Sequence, residues 1–110
     1  METTRATDKA MKRQVKRRIQ SPLYVGTKVL IRTVTFHAIG KVEEVGEQEI
    51  LLSSASWLAD GGRRHGELLA TGEFNGNAEL EPIPGIYAIG RGAIVDVCEW
   101  AHELPTAAKP

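Results

Sequence analysis

Cysteine is nearly missing from this chain of 110 residues: Cys98 stands alone, which excludes an internal disulfide framework. Aromatic side chains make up only 5%, and none is interleaved with the basic cluster at residues 9–18. A base-stacking platform for nucleic acid, which needs several exposed rings among cations, is therefore not expected there. Apolar runs are short. None approaches the ~20 residues that cross a bilayer, and no apolar stretch of signal-peptide type follows the basic N-terminal segment. We therefore expect no membrane partner and an intracellular location, either in the cytoplasm or in a particle assembled there.

The spacings that announce catalysis or metal binding are also missing. His37, His65 and His102 are scattered over the chain with no HxxxH, HExxH or CxxC pair, so the sequence points to no catalytic residue, no metal and no cofactor. Cys98, close to the end of a strand-like run, reads as a small buried hydrophobe. Glu43, Glu44, Glu47 and Glu49 alternate along a hairpin and so point to opposite faces, which reads as a solvated acidic edge rather than a cation cage.

Net charge is the last absence, with 14 Lys plus Arg against 14 Asp plus Glu. The balance hides a division. Residues 1–20 carry seven basic and two acidic side chains, a net +5, and the other 90 carry a net −5. At 100° per residue, Lys9, Lys12, Arg13, Lys16 and Arg17 share one helical face while Met11, Val15 and Ile19 share another. Arg18 extends the cationic cluster. This amphipathic arm either docks on an acidic surface or stands as a solvated terminal helix. Pro22 ends it by pushing Ser21 toward extended geometry.

From Tyr24 onward the pattern is that of strands. Residues 29–36 are rich in β-branched side chains. A second run at 38–45 carries Gly40 in its interior, where a bulge or bend is expected. The short turn at 46–48 leads to a third run at 49–55, completing a meander. Residues 57–84 interrupt the strands with a turn and a short helix over 63–71 that buries Leu68 and Leu69 and stops at Gly72. Two further strands, 86–89 and 93–98, are separated by Gly90-Arg91-Gly92. The organisation read from this is an arm at 1–20, one domain at 21–104 with its insertion at 57–84, and a tail at 105–110.

The run Gly40-Lys41-Val42-Glu43-Glu44-Val45 through Ile50-Leu51-Leu52 resembles the first Sm motif, with the spacing of the bacterial Sm-like RNA chaperone. Ile89-Gly90-Arg91-Gly92-Ala93-Ile94 resembles the second motif, which places Arg91 at its basic position. The resemblance implies a mainly β fold: a small five-stranded bent-sheet barrel of Sm-like type, with an N-terminal basic helix and a helix-containing insertion between strands three and four. It also implies edge strands pairing between subunits, usually into a ring. RNA-binding members usually carry an aspartate after strand two, with a stacking side chain nearby, whereas this chain has Gly46-Glu47-Gln48-Glu49. The expected function is thus a non-enzymatic, self-associating structural or adaptor subunit of a larger assembly, such as a phage or other particle. Its partners would be copies of itself and other protein subunits. Lys9, Lys12, Arg13, Lys16, Arg17, Arg18 and Arg91 are the candidate contacts to partner or phosphate. The alternative is an Sm-like RNA-binding ring that holds nucleic acid through the arm and Arg91.

Overall fold

The fold was derived from a computed structural model, which describes residues 20–60, 64–76 and 78–108. The six candidate contact residues of the expected arm, and its helix, lie outside that range. Within it are six strands and a helix: β1 (Lys28–Thr33), β2 (His37–Val45), β3 (Glu49–Asp60), α1 (His65–Thr71), β4 (Glu79–Pro82), β5 (Tyr87–Gly90) and β6 (Ile94–Glu99). All pairings are antiparallel. The sheet runs β4-β3-β2-β1-β6, with β5 beside the other half of β3.

The mainly β expectation holds, and so does a helix between the third and fourth strands. Two finer expectations need correction. There are six strands rather than five, because residues 79–82 return to the sheet as β4 and pair with Ser56–Asp60 at the far end of β3. β3 itself continues to Asp60, so the insertion departs later than residue 57. The sheet is also open rather than a closed barrel, as β6 pairs with β1 and β5 with β3, not with each other. The first run ends early as well. Thr33 N–H donates to Phe36 O at 2.9 Å, and Phe36 N–H donates to Thr33 Oγ1 at 3.2 Å, closing a turn where the β-branched composition suggested continued strand.

Side-chain alternation gives the sheet two buried faces. Val29, Ile31, Ala38, Val42, Ile50, Leu52, Ala55 and Ile89 form the first core. Leu30, Ile39, Leu58, Leu68, Leu80 and Trp100 form the second. Consecutive residues Val29, Leu30 and Ile31 are all fully buried, so β1 is covered on both sides. β5 supplies Ile89 to the first core and β6 packs Val97 against it, so the ends of the sheet curl over one core without pairing.

The curl requires irregular pairing. Between the pairs Ile39↔Ser56 and Lys41↔Ser53, β3 carries one residue more than β2. Within that stretch Ser54 has φ 47°, so the backbone departs from extended geometry at the irregularity. Opposite it, a Cβ on Gly40 would stand 3.2 Å from both Leu52 Cβ and Ala55 Cβ. Glycine there allows the two strands to approach closely at the bend, which agrees with the sequence reading of Gly40.

Helix α1 has only seven residues and is too short to persist alone in water. It is held by burying Leu68 in the second core and ends at Gly72, whose φ is 68° and whose N–H donates to Leu68 O at 2.8 Å. The segment after β6 lies against it. Trp100 stacks on Phe74 with centroids 6.0 Å apart, and a His102 ring nitrogen lies 2.7 Å from Leu69 O. Trp100 Nε1–H donates to Glu103 O at 3.0 Å, and Leu104 packs against the same core.

Replacing Gly40 with Val should overpack this bend and lower unfolding free energy by about 1–3 kcal/mol. Leu30→Ala should cost about 2–5 kcal/mol. Both should shift the urea midpoint, with the transition remaining cooperative.

Candidate functional site

The second face of the sheet is apolar under α1 and ionisable beside it. On β1, alternation puts Leu30 and Arg32 on this face. Their cross-strand partners on β6 are Cys98 and Asp96. Arg32 also pairs with His37 at the start of β2. His65, the first residue of α1, comes over the sheet so that its ring meets that of His37 edge-on, centroids 5.9 Å apart. Four elements thus bring Arg32, His37, His65, Asp96 and Cys98 together at the rim of the second core.

The Arg32 guanidinium grips the Asp96 carboxylate by both edges. Nε–H donates to Oδ1 at 2.8 Å and to Oδ2 at 3.0 Å, and an NH2 hydrogen also goes to Oδ2. This hydrogen bonding holds the Asp96 carboxyl below its ordinary range, while the same contact raises the Arg32 guanidinium. Both side chains are more than one-third exposed, at 38% each, so solvent screens the pair and its contribution is chiefly geometric. Burial is the main cause that lowers His65, followed by the Arg32 charge. Burial also leads for His37, followed by His65 and Arg32. Both shifts favour the neutral imidazole. His65 Nε2 is buried and has no hydrogen-bond partner.

Among the described residues, His65, Asp96 and Cys98 are the one group of three or more His, Cys, Asp or Glu whose donor atoms converge, all within 4.8 Å of one another. All three are half-buried, so Cys98 is not the fully buried hydrophobe that its strand position suggested. Sequence reasoning passed over this group because His65 is more than thirty residues from the other two. The only local signal is Asp96 and Cys98 two apart on a strand, the spacing that puts both on one face.

The remaining sequence candidate, Arg91, lies in the short 3-10 turn Arg91–Ala93 between β5 and β6. Its guanidinium donates to Gly46 O at 2.7 Å, and its own N–H donates to Gln48 O at 2.9 Å. Arg91 therefore ties the β2–β3 hairpin to the end of β5. Glu44, Glu47 and Glu49 line an open depression at that hairpin with Gly46, Gln48 and Leu51. Glu43 is turned to the Ser53 hydroxyl, which donates to its carboxylate.

A third surface is apolar. Trp57 is 44% exposed and touches Phe36 and Tyr87, with centroids 5.2 and 6.4 Å away. Ile86 and Val95 are each 59% exposed, one just before β5 and the other in β6. Neither chain nor fold matches a known protein: family models, curated proteins and solved structures all return nothing.

Arg91→Ala should accelerate amide hydrogen exchange at Gly46, Gln48 and Arg91. The urea midpoint should move little, because the lost contacts lie outside both cores.

Proposed function

We propose that this chain is a non-enzymatic structural or adaptor subunit that associates with further copies of itself through the outer edges of β5 and β6. The observation that carries this reading is that, among the described residues, the outer edges of β5 and β6 are unpaired, as is that of β4. β5 is paired on one side only, by β3, and β6 on one side only, by β1. Each edge is accompanied by an apolar side chain facing water, Ile86 beside β5 and Val95 in β6. Val95 is the extra residue where Arg32↔Asp96 gives way to Thr33↔Ile94, and this irregularity turns its side chain outward.

Strand edges with exposed apolar neighbours are templates for pairing with another chain. Joining β5 of one copy to β6 of the next is a head-to-tail contact, which closes into a ring if the rotation permits. The Sm-like reading belongs to the same proposal. β1, β2, β3, β5 and β6 supply the five strands it requires, with α1 and β4 as the inserted element, and Gly40 is at the bend of the second strand. Membership of a larger assembly, such as a particle, is the wider form of this function, and the basic arm would be the second contact.

Light scattering tests the reading directly. The protein should be oligomeric at concentrations on the order of 100 μM, where even weak self-association is visible. Ile86→Glu with Val95→Glu should give a monomer with an unchanged circular dichroism spectrum. A wild-type protein that remains monomeric at that concentration would remove the proposal.

A further inference from the structure

We infer that His65, Asp96 and Cys98 form a binding site for a divalent transition metal ion, with Zn2+ as the fitting occupant, and that this ion clips helix α1 to strand β6. The donor set selects the metal class. One imidazole nitrogen, one carboxylate oxygen and one thiolate sulfur suit a borderline-soft cation, whereas Mg2+ and Ca2+ call for oxygen ligands throughout.

The geometry is close to what such an ion needs. Zinc bonds sulfur at about 2.3 Å and nitrogen or oxygen at about 2.0–2.2 Å, so the donors of a tetrahedral site lie roughly 3.3–3.8 Å apart. Here the three donor atoms already lie within 4.8 Å of one another, a gap that side-chain rotation of about an ångström closes. Asp96 and Cys98 are presented on one face of a strand fixed by its ladder to β1. His65 approaches from the helix above.

Two further features agree. The buried Nε2 of His65 without a hydrogen-bond partner is a polar atom at a cost unless something satisfies it. The Arg32 grip on Asp96 is the kind of outer hydrogen bond that orients a ligating carboxylate. Charge also balances. The Cys98 thiol releases its proton to solvent as sulfur bonds the ion, so two anionic donors neutralise the two positive charges of the ion, and Arg32 stays outside the coordination sphere. The three donors are only half-buried, so a water could complete the tetrahedron at the fourth position.

An ion here would join two elements that no backbone pairing connects. Helix α1 has seven residues, so a bond from its first residue to β6 fixes where the helix sits.

The test uses full-length protein freed of metal with a chelator and kept reduced with a phosphine. One equivalent of Co2+ should give thiolate-to-cobalt charge-transfer absorption together with the visible bands of a tetrahedral ion, and Zn2+ should displace it. Zn2+ should raise the thermal midpoint and slow alkylation of Cys98, the only thiol. Cys98→Ser should abolish the charge-transfer band. His65→Gln should weaken Zn2+ binding by more than the about 10–100-fold expected for Arg32→Ala, a positioning change. Absence of the charge-transfer band in the wild type, or Zn2+ affinity unchanged in both Cys98→Ser and His65→Gln, would overturn the assignment. Because neither Ile86 nor Val95 is one of the three donors, the Ile86→Glu/Val95→Glu variant should bind the ion as the wild type does, whatever its oligomeric state.

Discussion

The structure depends on the burial of β1 from both sides. Val29 and Ile31 enter one core and Leu30 enters the other, all fully buried, and each such side chain contributes roughly 1.5–3 kcal/mol by leaving water. Against a typical net stability of about 5–15 kcal/mol for a domain, three adjacent residues therefore matter greatly. Their position also explains the architecture. A strand with apolar residues on both faces needs two covers, and in a small protein the sheet can provide only one by curling. The insertion provides the other, with α1, β4 and the segment from Trp100 to Leu104 closing over Leu30 and Ile39.

The curl and the cover are coupled through β3. Its twelve residues pair with β2 along their length, with β5 at the start and with β4 at the end. The extra residue near Ser54 redirects the strand between these duties. Gly40 lets β2 follow closely. A straight strand would carry β4 and β5 on one flat edge, whereas the bend sends Ile89 to the first core and Leu80 to the second.

Charge is placed where the covering stops. The insertion reaches far enough to seal the apolar part of the second face but leaves Arg32, His37, His65, Asp96 and Cys98 at its margin, neither dry nor fully wet. Partial burial lowers the pKa of both imidazoles. The Arg32–Asp96 pair spans β1 and β6 beside them. The opposite end of the molecule has a different character, with Glu44, Glu47 and Glu49 around the β2–β3 hairpin and Arg91 holding its backbone.

Much of the local structure was legible in the sequence. Alternating β-branched residues marked the strands, Gly72 marked the end of α1, and Gly40 marked the bend, because each depends on conformational preferences within a few residues. The sixth strand was not legible, since Glu79–Pro82 is short, acidic and proline-terminated, and becomes a strand only because the far end of β3 offers it a partner. The convergence of His65 with Asp96 and Cys98 was hidden for a similar reason. Alternation fixes which residues share a strand face, but only closure of the long insertion decides what is laid over that face. The sequence by itself thus determined five of the six strands, the bend at Gly40, the end of α1 at Gly72 and the separation of charge between arm and body. The tertiary structure decided that the sheet stays open, that two cores form rather than one, and that three distant donors share a site. Those outcomes depend on contacts between residues far apart in the chain, which no local pattern encodes.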